Sequence, residues 1–406
     1  MTLPAANLDV PQLPFRPEQT REARLATLRD IGRESWIARN EIGFTVLTYE
    51  AVQGVLRDKR WHSATGLAAR MAGVTDEKFL ARRRVSILSA EGDMHVRLRR
   101  LVGQAFSPRS ADRLRPFMRE VMNGLVDPLA AAGRADVALD ICDPYPIPVI
   151  CELLGAPKED WRLFSRLAED VLLVFSGNLL EILPRVVAAQ EELEEYAKSL
   201  IATRRSTPAD DLITDLIAAE EAGDRLDIDE LVMMVEAVIV GGTDTTRNQL
   251  GLAVALFAEH PDQWAMLAED PSLAPRAVDE VMRYHGAVAN TVRFASEDIE
   301  FNGVLFPAGT IMSTSMATAN FDPAVFPDAL RFDIRREPVG QPHLSFGSGI
   351  HFCLGSWLAR AELQEALLIL SRRMPNLRLD GPVVHKPSAN AIFGVEHLPV
   401  AFDAGH

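Results

Sequence analysis

The sequence is poor in cysteine, in positive charge and in uninterrupted apolar stretches, and each shortage removes a class of protein. Its three cysteines, Cys142, Cys151 and Cys353, are an odd number at spacings that make no disulfide framework. A small disulfide-stapled secreted domain is therefore excluded, and a reducing compartment is expected. Lys and Arg number 42 against 57 Asp and Glu, a net charge of −15. That balance argues against nucleic acid or an anionic membrane as the main partner. The most apolar stretches, VMMVEAVIVGG and VLLVFSGNLLEIL, are short and broken by Glu236, Gly177, Asn178 and Glu181, so no membrane span is expected. The opening MTLPAANLDVPQLPF has no basic segment followed by an apolar run, which speaks against a signal peptide or an anchor. Repeats, low-complexity tracts and Gly/Ser linkers are also missing. The expectation is a cytoplasmic protein forming one domain over residues 1–406.

What the chain does contain is helical periodicity, in segments 110–131, 158–175, 187–204, 227–259, 273–284 and 354–373. Strand signals are short: IGFTVLT near the N-terminus, IEFNGVLFPAGTIMSTS at 299–315, and LPVAF near the end. The fold class is therefore mainly α with small β elements.

The segment 227–259 opens on Asp227 with Glu230 three later and stops at His260-Pro261, so it predicts a helix roughly 50 Å long. In its middle stands GGTDTT, where two adjacent glycines each weaken a helix by about 1 kcal/mol relative to alanine. Ala237, Gly241 and Thr245 fall at i, i+4 and i+8 and share one face, with Asp244 beside it. Such a face lets a flat ligand approach the backbone and places a hydroxyl and a carboxylate for proton delivery. Taken alone, the pattern is more commonly that of a helix-packing notch filled by a neighbour.

Cys353 differs from Cys142 and Cys151, which stand among Ile, Val and Leu as small hydrophobes do. It follows Gly347 and Gly349, precedes Gly355, and lies just ahead of a helical pattern. Glycines allow close approach of a flat cofactor, and a helix N-terminus stabilises a thiolate. His351 and Cys353 alone are too few for a structural zinc site. A thiolate so placed suits the single axial ligand of a haem iron.

FGSGIHFCLG, with Phe346, Gly347, Cys353 and Gly355, resembles the haem-binding signature of the cytochrome P450 family at every fixed position. GGTDTT resembles that family's oxygen-binding groove. The resemblance implies the P450 fold with a long central helix over haem b, with Ala237 and Gly241 facing the cofactor and Asp244 and Thr245 as an acid-alcohol pair. EVMR resembles the Glu-x-x-Arg motif, implying Glu280 and Arg283 as a structural pair with Arg331 as third partner. His95, Arg99, Arg293 and His343 are implied to hold the haem propionates. EGDMH at 91–95 and NFD at 320–322 depart from the Pro-Pro and Asn-Arg-Asp found in many bacterial relatives, which bears on the subfamily and not on the cofactor.

The implied function is a monooxygenase that uses O2 to hydroxylate a C–H bond. The sequence carries no flavin or iron-sulfur motif beside the haem region, so a separate ferredoxin with an NAD(P)H-dependent reductase is expected to supply electrons. Arg97, Arg100 and Arg109 are candidate docking charges. By family position the pocket draws on the loop after Trp61, on 172–180, and on Met233, Met234, Val288, Ala289, Asn290, Thr291, Ile392 and Phe393. That lining favours an apolar terpenoid, steroid or fatty-acid-like substrate. A peroxide-driven hydroxylase, a haem isomerase and a haem-thiolate gas sensor remain as alternatives.

Overall fold

The strongly periodic segments become helices close to where the sequence puts them. In the computed structural model, which describes residues 3–14, 19–71, 73–175, 179–221, 228–386 and 392–404, they are Pro108–Ala130, Trp161–Leu172, Leu179–Ser206, Ile228–Glu259, Ala274–Tyr284 and Ser356–Arg373. Asp227, the expected start of the central helix, lies outside the described residues, as do 176–178 of the expected pocket segment. Shorter helices that the periodicity did not single out include Arg21–Glu34, Glu77–Val85, Gly92–Gly103 and Pro146–Leu154.

The strand signal at 299–315 resolves into three strands belonging to two sheets. Ile299–Phe301 and Val304–Phe306 form a hairpin, and Ile311–Ser315 joins a five-stranded sheet. The hairpin turns on Asn302 and Gly303, both at positive φ (49° and 74°), the backbone that a two-residue turn between twisted strands requires. The larger sheet runs in the order Ile37–Asn40, Gly43–Val46, Ile311–Ser315, Asn290–Ala295, Trp61–Ser63. Its register sets Ser63 opposite Arg293 and Thr291 opposite Thr314.

The largest apolar core surrounds the central helix Ile228–Glu259 and takes in Met118, Tyr145, Phe164, Phe257 and Leu363. A second core lies on the five-stranded sheet around Ile37, Trp61 and Phe306. A small third one joins Ala69, Phe79 and Leu80 to Val174, Leu179 and Val186. No described helix is long and apolar enough to cross a membrane.

Candidate active site

The central helix crosses the core, and from Glu230 to Phe257 all but five of its residues are buried. The five are Met233, Ala237, Gly241, Gly242 and Thr245. Four of them recur every fourth residue, so they form one stripe along one face, and a stripe of accessible residues inside a buried helix borders an internal hollow. The two glycines divide the roles left open by the sequence. A Cβ on Gly241 would meet nothing within 4 Å, whereas one on Gly242 would come 2.2 Å from Ile150 Cδ1. Gly241 opens the hollow and Gly242 is the packing notch. Met234, expected beside Met233 in the pocket, is 2% exposed and packs into the main core, because adjacent helical residues point about 100° apart.

Thr245 Oγ1 donates to Gly241 O at 2.9 Å, so the hydroxyl is fixed on the accessible stripe. Asp244 is buried and turned to the flank. Its Oδ1 accepts from Arg247 Nε at 2.7 Å and from Arg247 Nη2, and Lys386 Nζ lies 3.7 Å away. Arg247, 3% exposed, also donates to Glu169 Oε1 at 2.7 Å and to Ser165 Oγ at 3.3 Å, with Asp143 Oδ1 at 3.6 Å. Glu169 and Asp143 reach solvent, so the cluster leads from the surface to the residue beside Thr245. Burial pushes the Asp143 carboxyl up from its ordinary value, with the nearby acids Glu169 and Asp244 adding to the effect and Arg247 opposing it.

The Cys353 loop is shaped by its glycines. Gly347 and Gly349 have φ of 73° and 71°, and a Cβ on Gly349 would stand 2.2 Å from Leu56 O, so neither position accepts a larger residue without strain. Cys353 N–H donates to Phe346 O at 2.8 Å, and Arg99 Nη1 donates to Phe352 O at 2.6 Å. Cys353 is exposed while Cys142 and Cys151 are buried. Burial nonetheless pushes the Cys353 thiol above its ordinary value, outweighing the Gly355 N–H, Arg99 and Arg360, which act to lower it. A side chain that is both accessible and desolvated lines an internal hollow and not the outer surface.

Next to this loop stands a group of cationic and imidazole side chains. His95 is 2% exposed, its Nε2 has no partner, and burial lowers its pKa to about 4. His351 packs against it with ring centroids 4.5 Å apart and holds Glu91 Oε1 at 3.0 Å. Burial acts to raise the Glu91 carboxyl, but the bonds to His351 and to the Ser63 N–H outweigh it and leave it lowered. Arg293 is buried beside Glu91, and its Nη1 donates to its neighbour's carbonyl, Val292 O, at 3.2 Å.

His343, expected in this group, is turned elsewhere. Its Nε2 lies 3.4 Å from Asp279 Oδ1, and its Nδ1 accepts from Ser345 N–H at 3.3 Å. His351 takes the place instead; its position two residues before Cys353 was the available signal.

The Glu-x-x-Arg pair carries a second correction. Glu280 and Arg283 pair through two hydrogen bonds of 2.8 Å, but the third member is Arg336, whose Nε donates to both Glu280 oxygens at 3.1 and 3.0 Å. The Arg331 side chain is 63% exposed and faces Asp333, and only its backbone carbonyl enters the network.

Among the expected docking charges, Arg97 is committed to Glu230 on the central helix, with Nη1 to Oε2 at 3.0 Å, while Arg100 and Arg109 are exposed. Trp357, four residues beyond Cys353, is 51% exposed.

Two of the expected pocket segments lie against each other. Val288 bridges Ile392, and Phe393 N–H donates to Ala287 O at 2.8 Å. Ala289 and Asn290 keep accessible surface, while Thr291 Oγ1 is engaged with Thr314 Oγ1 at 2.9 Å. The Phe393 ring is 8% exposed and stacks beside His385.

An open Gly241 face, a Cβ-free space at Gly355, an accessible cysteine and a partnerless His95 Nε2 among cations together fit a flat, anionic, metal-bearing macrocycle. The comparisons agree. The cytochrome P450 family model matches residues 40–380. The luteothin monooxygenase of Streptomyces thioluteus is 37% identical over 99% of this chain and 97% of its own length. The steroid C26-monooxygenase of Mycobacterium tuberculosis is 34% identical over 78% of this chain and 85% of its own. The crystal structure of CalO2 superposes with a TM-score of 0.88 at 30% identity, covering 97% of this chain and 99% of that one. The chain belongs to the cytochrome P450 family. It is a haem-thiolate monooxygenase of the bacterial type, and its cofactor is cysteine-ligated haem.

Proposed function

We propose that the chain hydroxylates a C–H bond of an apolar small molecule with O2, taking electrons from a separate ferredoxin, with Cys353 as the thiolate ligand. The observation that carries this reading is the accessible stripe Ala237, Gly241 and Thr245 in an otherwise buried helix, in a protein whose accessible cysteine lies in a glycine-shaped loop.

Haem bound here would supply the activation of dioxygen and the transfer of one oxygen atom to the substrate. The residues of the chain supply placement and protons. Arg99 fixes the loop through Phe352 O, and the Gly355 N–H bonds the sulfur, so the thiol is presented in one position. The Gly355 N–H, Arg99 and Arg360 act against the burial that disfavours the thiolate. His95, Arg99, Arg293 and His351 would hold the two propionates, which supply the acceptor that His95 Nε2 lacks. Thr245 gives its own proton to Gly241 O, so its oxygen lone pairs remain to orient water in the groove. Asp244, linked through Arg247 to the solvent-facing Glu169 and Asp143, is the proton source beside it.

The relatives named for luteothin and for a steroid support an apolar substrate. For the redox partner, the exposed Arg100, Arg109 and Trp357 favour an acidic ferredoxin docking near the Cys353 loop.

Replacing the ligand tests the reading. Cys353→Ser abolishes the thiolate-type absorption of the reduced carbon monoxide complex, and Cys142→Ser and Cys151→Ser leave it in place. A thiolate-type spectrum retained by Cys353→Ser would remove the assignment.

A further inference from the structure

Arg82 ties a small outlying core to the body of the molecule. The third apolar core packs Ala69, Phe79 and Leu80 against Val174, Leu179 and Val186, and so joins two stretches expected at the pocket, the loop after Trp61 and the chain about Val174 and Leu179. Among the described residues, none from 65 to 85 belongs to the main core around the central helix. The helix Leu179–Ser206 shares in both cores, with Leu179 and Val186 in the small one and Ala189, Leu193, Ala197 and Ile201 in the main one. The helices Thr65–Met71 and Glu77–Val85 therefore form a flap whose apolar contacts hold it to the start of Leu179–Ser206 and not to the central helix.

To the central helix the flap is fastened by charge. Arg82 Nη1 donates to Glu194 Oε2, in the part of Leu179–Ser206 that sits in the main core, and Nη2 donates to Glu236 Oε1 on the central helix. The side chains of Arg82 and Glu236 are 14% and 7% exposed. Lys198 Nζ holds the other Glu194 oxygen at 2.7 Å, and this bond keeps the Glu194 carboxyl below its ordinary value. Burial instead pushes Glu236 up to about 7, in spite of Arg82. The charged groups facing Glu236 are Arg82 from the flap and Glu194 and Lys198 from Leu179–Ser206, while Glu230 on its own helix is taken by Arg97. Glu236 precedes Ala237 and follows Met233 by three residues, so the bond to Arg82 falls at the Met233–Ala237 end of the accessible stripe.

We propose that Arg82 is the pin of a charge-gated latch: with Glu236 neutral the flap is closed over the Met233–Ala237 end of the stripe, and with Glu236 ionised it lifts and admits an apolar ligand. The direction follows from burial. A carboxylate at Glu236 is desolvated under the closed flap and hydrated once the flap lifts, so ionisation favours the lifted state. Glu194, ionised and shared with Lys198, stays bound to the same guanidinium and limits what Arg82 can offer Glu236. Raising the pH toward 7 thus loosens the flap, and above about 7 the effect levels off. The latch governs access to the hollow, and its readout rests on the haem-thiolate reading.

Isocyanides test the latch, because they bind haem iron and carry no group that titrates near neutral pH. Association with the haem-loaded protein is followed by stopped flow, with cyclohexyl isocyanide as the bulky probe and methyl isocyanide as the small one. The bulky probe enters wild type about tenfold faster at about pH 7.5 than at about pH 5.5, and the dependence is weaker for methyl isocyanide. Glu236→Gln keeps the slow rate at every pH, since its neutral amide oxygen still accepts from Arg82. Arg82→Met removes the pin and gives a fast rate at every pH. A pH-independent rate in wild type, a Glu236→Gln variant that still accelerates with pH, a slow Arg82→Met, or equal changes for both probes overturns the proposal.

A second readout needs no iron ligand. An acid whose folded pKa lies above its unfolded value costs stability as pH rises through the interval between the two. The melting midpoint of wild type, taken relative to that of Glu236→Gln, therefore falls as pH rises from about 4.5 to about 7 and stays level above. A constant difference would show that Glu236 does not titrate in that interval and would sink the idea. The Arg82 and Glu236 variants keep the thiolate-type carbon monoxide spectrum, so failure here is distinct from failure of the haem-thiolate assignment, which Cys353→Ser reads.

Discussion

Glu280–Arg283 and Asp244–Arg247 share a pattern, an acid three residues ahead of an arginine on a buried helix, and meet different surroundings. Around Glu280 the network is closed. Arg283 and Arg336 donate to the carboxylate, the Asp333 N–H is a third donor at 3.0 Å, and the spare arginine donors end on backbone carbonyls of Asn320, Ala329 and Arg331. Around Asp244 it is open. Arg247 passes on to Glu169, whose side chain is 49% exposed, and Lys386 stands at the edge. A closed network fixes the loop that returns the chain to the cysteine, whereas an open one connects the groove to water. Sequence spacing is the same for both, so the job is assigned by what surrounds the pair.

The largest expected effect breaks the closed network. Glu280→Ala leaves the buried Arg283 and the part-buried Arg336 without their shared acid, and loss of one partner of a buried pair costs about 3–5 kcal/mol. Expression should yield protein with little haem and a much lower melting midpoint. An Asp244→Asn variant should behave in the opposite way. Arg247 keeps Glu169 and Asp143, so haem content and midpoint stay near wild type, while turnover falls by roughly 10²-fold, within the range for loss of a general acid. A solvent isotope effect on turnover that rises in Asp244→Asn would confirm that proton supply has become limiting. If Asp244→Asn lost haem as readily as Glu280→Ala, the contrast between the pairs would collapse.

Glu169→Gln probes the outer end of the open network. Because Glu169 is half exposed, its bond to Arg247 is screened, and its loss should cost about 0.5 kcal/mol. Turnover should drop by a factor of about 2–3 at most, since Asp143 offers a second route to solvent. Thermal melting and product formation per reduced cofactor consumed check both numbers.

What the sequence made legible follows from where its geometry is local. Inside the central helix, spacing alone placed Ala237, Gly241 and Thr245 on one face, and that face is the accessible one. The same spacing, carried back four residues from Ala237, selects Met233 and leaves Met234 to the core. The Cys353 loop was legible because its glycines take backbone angles that other residues avoid. Beyond regular elements the reading failed for a physical reason: the direction of a side chain in a loop is set by partners distant in sequence. His343 is turned by Asp279, 64 residues away. Even on the helix Gly92–Gly103, Arg97 is committed by Glu230, 133 residues away. The five-stranded sheet was legible only in fragments, because strands of three to six residues from five regions carry too little pattern to announce their pairing.

Arg331 offers the smallest and most discriminating test of that lesson. Residues 331–336 read RFDIRR, and three arginines stand within reach of Glu280 by sequence distance. Chain direction decides between them. Asp333 N–H is committed to Glu280 Oε1, which brings the following turn over the carboxylate and swings Arg336 inward, where its side chain is 15% exposed. Arg331 precedes that turn and points out to Asp333 at 3.3 Å. Its contribution to the network is a backbone carbonyl, and any residue supplies that. Arg331→Ala should therefore shift stability by no more than about 0.5 kcal/mol, the value for an exposed side chain with one screened ion pair. Arg336→Ala, made in parallel, removes two bonds to a buried carboxylate and should cost several times as much, with loss of haem on mild heating. A large loss from Arg331→Ala with a small one from Arg336→Ala would reverse the assignment and return the third position to Arg331.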